Sequence, residues 1–391
     1  MSSNSNHNPH GAATTSGGRP LFLAAVAVAN NRETRLLRDS DWHIAVTDVL
    51  FLGPALPNPD EIVNGVTGLI GNTPLMRINS LSDALGVEIL GKAEFLNPGG
   101  SVKDRVALRM IEDAERMGFL RPHTGSRIFE GTVGSTGISI ATIARARGYE
   151  TTIIMPDDVA EEKVKALLSL GAEVQRVRPA SIVDKKQNKS NFDAHFSGTG
   201  PEIWKQANGQ VDAFVSGAGT GGTVAGCGQY LKSVKEDIIV AISDPEGSGL
   251  YNKVKFGVLF DRKEAEGTKR RHQVDTVVEG IGINRLTHNM ELGLPVVDDA
   301  FRITDAEAVA MSRFLVKNDG LFLGSSSACN VMACVKLVKK MGWEGSGKCA
   351  VTILCDSGTR HYSKFWSEEY LKNAGIPVDL SLVEDLLRKT A

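Results

Sequence analysis

From about Val87 onward, short runs of β-branched and apolar residues alternate with longer stretches whose apolar positions recur at helical spacing. The short runs predict strands at 87–93, 127–129, 151–155, 173–177, 211–216, 238–243 and 349–354. The longer stretches predict helices at 102–117, 136–147, 161–170, 222–234 and 328–340. Alternation of this kind requires crossover connections, and hence a mostly parallel sheet covered by helices on both faces. The pattern breaks once. From Arg178 to Ser190 neither period is present, and a helix next opens at Gly200-Pro201-Glu202-Ile203-Trp204 with proline in its first turn. Roughly twenty residues without an element are uncommon inside a compact domain, and a missing crossover unit explains the gap.

With 391 residues, 42% of them hydrophobic and 23% charged, the chain has core enough for one large domain or two ordinary ones. A net charge of −2 gives no electrostatic case for a nucleic-acid or anionic-membrane partner. The basic run Lys269-Arg270-Arg271-His272 reads as a solvated loop. Cys227, Cys329, Cys334, Cys349 and Cys355 include no CxxC pair and point to a reducing compartment; neither they nor the eight histidines form a metal motif. Residues 1–60 read as an appendage. Positions 1–18 have the composition of a disordered segment, and the apolar run from Leu21 to Ala29 is too short to cross a bilayer. Arg19, Arg32, Arg35 and Arg38 give a trace of a mitochondrial presequence, offset by Glu33, Asp39 and Asp41. A cytoplasmic or mitochondrial location without a transmembrane segment is expected.

Candidate chemistry lies where predicted strands hand over to helices. In Asn97-Pro98-Gly99-Gly100-Ser101-Val102-Lys103-Asp104-Arg105 a lysine follows a Pro-Gly loop into the first helical turn, with Ser101 and Asp104 spaced for a capping box. The helix dipole and any desolvation there disfavour an ammonium group, which suits Lys103 to Schiff-base formation with an aldehyde. Alone, such a lysine reads more readily as a surface residue. Gly217-Ala218-Gly219-Thr220-Gly221-Gly222-Thr223 joins a strand to a helix, an arrangement that aims free N–H groups and the positive helix end at an anion. The spacing of Gly217, Gly219 and Gly222, with Asp244 near the end of the next strand, also matches a dinucleotide fingerprint, though that leaves Lys103 unexplained. Glu130-Gly131-Thr132-Val133-Gly134-Ser135-Thr136-Gly137 is a second strand-to-helix loop, suited to a carboxylate or to tight packing. Asp356 and Ser357 end the last strand, where open α/β sheets place ligands, and strand alternation turns them to opposite faces.

Taken together, Gly71-Asn72-Thr73-Pro74-Leu75, Ser101-Val102-Lys103-Asp104-Arg105, Gly219-Thr220-Gly221-Gly222-Thr223 and Asp356-Ser357 stand in an order that resembles the β-family (fold type II) of pyridoxal-phosphate (PLP) enzymes. The nearest group is cysteine synthase and cystathionine β-synthase, and the resemblance runs from about residue 61 to about 366. Val278-Glu279-Gly280-Ile281-Gly282-Ile283-Asn284-Arg285 and Cys355-Asp356-Ser357-Gly358-Thr359-Arg360-His361 look most like the fungal cysteine synthase 2 branch. The resemblance demotes the dinucleotide spacing to coincidence. It implies a tryptophan synthase β-subunit-like fold of two three-layer α/β/α domains with mostly parallel sheets. Residues 61–105 and 209–373 would form the large PLP-binding domain, 106–208 a smaller mobile domain, and 374–391 a tail.

The same resemblance implies roles. Lys103 would bond the cofactor's aldehyde carbon and then take the substrate's Cα proton as general base. Gly219, Thr220, Gly221, Gly222 and Thr223 would hold the cofactor phosphate, and Ser357 would face the pyridine nitrogen. Thr132, Gly134, Ser135 and Thr136 would grip the substrate carboxylate, with Gly280 also on the substrate side. No metal is implied. The expected reaction is β-replacement, in which O-acetylserine loses acetate and sulfide adds to give cysteine. A homodimer is implied, and association with a serine acetyltransferase is left open.

Two departures stand out. Ser135 occupies a position where the family usually has an asparagine that contacts the cofactor's ring oxygen, and a serine reaches less far. Relatives also carry a further helix and strand between the equivalents of Asp184 and Asn191, roughly thirty residues by the length of a crossover unit. A splice variant or faulty gene model, with little or no activity, is therefore an alternative. Others are cystathionine β-synthase, with homocysteine as nucleophile but without its Cys-His segment or regulatory domains here, a serine or threonine dehydratase, and a non-catalytic binding form.

Overall fold

The alternating pattern resolves into two sheets. A computed structural model describes residues 62–132, 134–157, 159–177, 189–261 and 276–388, with the backbone of 27–30 and 33–35. The rest of the N-terminal appendage, the 178–188 gap and the basic run at 269–272 lie outside the described residues.

In chain order the elements are β1 (Ala27–Asn30), β2 (Glu33–Arg35), β3 (Leu75–Arg77), α1 (Asn79–Leu85), β4 (Glu88–Ala93), α2 (Lys103–Arg116), β5 (Arg127–Gly131), α3 (Ser135–Ala146), β6 (Glu150–Pro156), α4 (Glu161–Ser169) and β7 (Glu173–Val177). After the gap come α5 (Ser190–Ala194), a π-helical turn (His195–Thr199), α6 (Gly200–Gln206), β8 (Ala213–Gly217), α7 (Gly222–Val234), β9 (Ile239–Pro245) and α8 (Leu250–Phe256). The chain ends with α9 (His288–Gly293), β10 (Asp299–Ile303), α10 (Asp305–Asp319), α11 (Ser325–Met341), β11 (Cys349–Leu354), α12 (Glu368–Asn373) and α13 (Ser381–Leu387).

The larger sheet has the order β10-β9-β8-β11-β4-β3, parallel throughout except for β3 at the edge. Side chains alternate between its two faces as the pleat demands. Ala213, Val215 and Ala241 join a core with α1, α10 and α11, while Phe214, Val240 and Ile242 join a second core with α7 and Met290 of α9. Every residue of β8 and of β11 is buried, as a parallel sheet covered on both sides requires. Three layers are complete here.

The smaller sheet has the order β2-β1-β5-β6-β7, with β5, β6 and β7 parallel and the β1–β2 hairpin antiparallel on its edge. Ile128, Ile153 and Met155 point to one face and are buried beneath α2, α3 and α4. The opposite face carries half-buried Phe129, Ile154 and Pro156 and the ion pairs of Arg127 with Glu150 and Glu173. Among the described residues, helices cover one face of this sheet.

Three sequence expectations are adjusted. The proposed 105/106 domain boundary falls inside α2, a continuous helix that packs on α3. The 190–206 stretch, assigned to the smaller domain, packs largely on α7. Beside that boundary a buried ion cluster joins Lys92 of β4, Glu94, Arg105 of α2 and Glu202 of α6. Burial alone would raise the Glu94 carboxyl, but the contacting Arg105 guanidinium brings it down to about 2. The third adjustment is at the strands and helices themselves: β3, β10, α1, α8, α9, α10, α12 and α13 carry no prediction, while 173–177, 222–234 and 349–354 match residue for residue and the other predicted elements shift by one to three residues at their ends.

Candidate active site

Lys103 is the first residue of α2, as its sequence setting implies, but no capping box forms. Ser101 is pinned in a β-bridge with Asp356, and the Val102 N–H bonds the Cys355 carbonyl at 3.0 Å. These contacts move the N-cap to Val102 and leave Asp104 too early to serve as the third helical residue. The Asp104 carboxylate instead accepts the Gly99 N–H and the Ser139 hydroxyl, tying the Pro-Gly loop to α3. The Lys103 amine is half-buried and, among the described residues, makes no hydrogen bond or ion pair. Burial lowers its pKa, against the opposing pull of Cys355, Asp356 and Glu94. An amine without a partner, whose charged form burial disfavours, is suited to act as nucleophile and base.

The 217–223 loop turns the chain from β8 into α7, a helix of 13 residues. Gly221 sits at φ +86°, a left-handed backbone that side chains rarely adopt. A Cβ at Gly219 would overlap the carbonyl of Gly280, so the glycine is needed for the 280–282 loop to lie against this turn; the Gly282 N–H bonds the Ala218 carbonyl at 2.9 Å. Among the described residues, the backbone N–H groups of Gly219, Thr220 and Gly221 form no hydrogen bond. Free donors at a helix N-terminus, flanked by the Thr220 and Thr223 hydroxyls, fit a phosphate group. Asp244, the acidic partner of the dinucleotide alternative, faces inward. Its buried carboxylate accepts the Tyr251 N–H at 2.7 Å, and burial raises it to about 7.

The second loop leads from β5 into α3. Gly134 is the N-cap at φ +131°, and its missing side chain leaves room for Lys163 of α4. Thr132, Ser135 and Thr136 are half-buried around this turn, while Val133 lies outside the described residues. Lys163 in turn pairs with Glu279, which lies next to Gly280 and within 3.8 Å of His361. Thus Gly134, Lys163, Glu279, Gly280 and Gly219 form one continuous run of contacts between the two units. At the end of β11, Asp356 turns inward onto His361 Nε2 at 3.0 Å, while Ser357 is half-buried and accepts the Thr359 N–H at 3.3 Å. Lys163, Glu279, Asn191 and His195 were not singled out for roles in sequence. Their partners are far along the chain, 116 residues in the case of Lys163 and Glu279.

A surface hollow of about 440 Å³ lies elsewhere, bordered by Glu88, Gln206, Asp212 and Lys235 at the opposite ends of the strands. It has none of these groups. Among the described residues no helix is long and apolar enough to cross a membrane.

Comparison with known proteins agrees with this geometry. A cysteine synthase 2 of Schizosaccharomyces pombe is 52% identical over 358 residues, covering 83% of this chain and 90% of the relative. A cysteine synthase 2 of Emericella nidulans is 53% identical over 368 residues, covering 84% and 85%. A cystathionine β-synthase of Apis mellifera is 35% identical over 340 residues, covering 81% of this chain and 64% of the relative. In the first alignment, 83% of 391 residues is about 325, so about 33 of the 358 aligned positions have no residue in this chain. Residues 66–356 match the model of the family described as pyridoxal-phosphate dependent enzyme. With three-quarters of its length matched, the chain belongs to the pyridoxal-phosphate dependent enzyme family.

Proposed function

We propose that this protein makes cysteine by β-replacement, exchanging the acetyl ester oxygen of O-acetylserine for the sulfur of sulfide. When bound, pyridoxal phosphate supplies an electron-withdrawing ring that acidifies the substrate's Cα proton and eases departure of the β-substituent. Lys103 is the residue that holds the aldehyde carbon and takes the Cα proton. The 219–223 turn seats the phosphate, and the neutral hydroxyl of Ser357 faces the pyridine nitrogen. Thr132, Gly134, Ser135 and Thr136 receive the substrate carboxylate at the N-terminus of α3, with Gly280 opposite. Atoms balance simply: the Cβ–O bond breaks with its electrons leaving on acetate, a Cβ–S bond forms from hydrosulfide, and the Cα proton is returned.

The observation that carries this reading is the partnerless Lys103 amine with its lowered pKa. Identity of about half to cysteine synthases, against 35% to a cystathionine β-synthase, supports sulfide over homocysteine as the nucleophile. Parallel assays with O-acetylserine plus sulfide and with serine plus homocysteine test it. Faster turnover with the second pair would sink the assignment. A homodimer is part of the same reading, and sedimentation at micromolar concentration checks it.

We also propose that one helix and one strand of the smaller unit are missing between Asp184 and Asn191, through splicing or an error in the gene model. Support comes from the sheet face left to Phe129, Ile154 and Pro156 and from the aligned positions that lack a residue here. A genomic reading frame that runs unbroken through this junction argues against it.

A further inference from the structure

We propose that Asn191 and His195 fix the direction of the two threonine hydroxyls in the 219–223 turn, so that both donate to an anion seated there. The proposal rests on the reading of that turn as the phosphate seat. Helix α5 and the π-helical turn lie directly on the start of α7, an approach that two glycines permit. A Cβ at Gly222 would overlap the Asn191 side-chain oxygen, and one at Gly226 would lie 2.6 Å from the Phe192 carbonyl. At this range Asn191 Nδ2 donates to Thr220 Oγ1 at 2.8 Å. His195 Nε2 meets Thr223 Oγ1 at 3.2 Å, and its Nδ1 meets Thr199 Oγ1 at 2.9 Å. His195 and Thr199 are fully buried. Burial, reinforced by the charges of Arg105 and Lys103, pushes the imidazole down to about 3 and keeps it neutral.

A neutral imidazole has one N–H and one lone pair, so the two threonines must play opposite parts. With the proton on Nδ1, Nε2 would consume the only hydroxyl hydrogen of Thr223 and leave oxygen lone pairs facing the anion. With the proton on Nε2, Thr199 donates to Nδ1, His195 donates to Thr223, and the Thr223 hydrogen is free for the anion. Asn191 acts alike on Thr220: its amide N–H fills an oxygen lone pair and leaves the hydroxyl hydrogen to be given outward. Neither residue touches the anion. Both are positioning residues, and both follow directly on the stretch where the chain departs from its relatives.

The test is the nitrogen-15 spectrum of histidine-labelled holoenzyme, with the His195 ring assigned by its absence in a His195→Gln variant. Unmodified protein is expected to show Nε2 protonated and Nδ1 bare at every pH across the neutral range. His195→Gln keeps an N–H near the Nε2 position and is expected to hold pyridoxal phosphate within about threefold of the unmodified affinity. His195→Leu is expected to bind it roughly tenfold more weakly, the loss of one buried donor. An Nδ1-protonated ring, or a Gln variant no better than the Leu variant, overturns the proposal. Thr223→Ala, followed by the phosphorus-31 signal of the bound cofactor, separates the two levels. If that signal and the cofactor affinity stay unchanged, the phosphate reading of the turn fails and the proposal with it. If they move while the ring is Nδ1-protonated, the proposal alone fails.

Discussion

The two sheets bury their strands to different degrees. In the larger unit β8 and β11 are buried along their whole length, with cores on both faces. In the smaller unit β7 has only exposed and half-buried residues, and Phe129 and Ile154 face away from the described helices. Arg105, Glu94, Glu202 and Lys92 satisfy one another at the base of the larger unit, whereas Glu130 of β5, like Asp244 of β9, is buried with one carboxylate oxygen that has no hydrogen-bond partner among the described residues. The half that holds the Lys103 amine and the glycine turn is thus packed on both sheet faces. The half that brings the 132–136 loop is held by less.

The largest expected effect breaks the packed half. Arg105→Leu leaves Glu94 and Glu202 buried with Lys92 as their only cation among the described residues, and is expected to cost about 3–5 kcal/mol, read as a lower urea midpoint. A loss below about 1 kcal/mol would mean that the cluster does not anchor the larger unit.

The next effect relieves the weaker half. Burial raises Glu130 from 4.5 to about 7, so the folded protein holds a proton that the unfolded chain has released over that interval. Stability is therefore lost as pH rises from 4.5 to 7, and the deficit persists above it. Glu130→Gln should stabilise by up to about 3 kcal/mol at alkaline pH and by little in acid. Equal gains at both ends would remove the carboxylate from the account. Amide exchange should report the same contrast without mutation, with β5, β6 and β7 exchanging at least about tenfold faster than β8, β9 and β11.

The smallest effect lies at the join. Burial opposes a charge on Glu279, but Lys163, His361 and Lys364 outweigh it and hold its carboxyl below the usual range. A depressed carboxyl contributes stability at neutral pH and loses it as pH falls through its lowered pKa. Lys163→Met should cost about 1 kcal/mol or less, seen as faster exchange in α4 at neutral pH and no change in strong acid.

What was legible in the sequence followed the range of the interactions. The Pro-Gly-Lys loop, the glycine turn and the last strand are local motifs, and each emerges where its residues suggest. The β3 strand is three residues long and offers no period to read. The β10 strand begins at Asp299, a charge that looks out of place in a buried strand until Lys255 and Lys340 reach it from distant helices. Helix α10 had a readable signal in Thr304 and Glu307, which form the capping box that Ser101 and Asp104 do not. His195 was invisible for a physical reason, since its role depends on Thr223, 28 residues away, and on two glycines that let the helices touch.

The central claim is that Lys103 is the amine that takes the cofactor. Adding pyridoxal phosphate to the purified protein, reducing with borohydride and mapping the peptides by mass tests it most directly. A single pyridoxyl group on the peptide containing Lys103 is the predicted result. A label on another lysine, or no label beyond background, would contradict it.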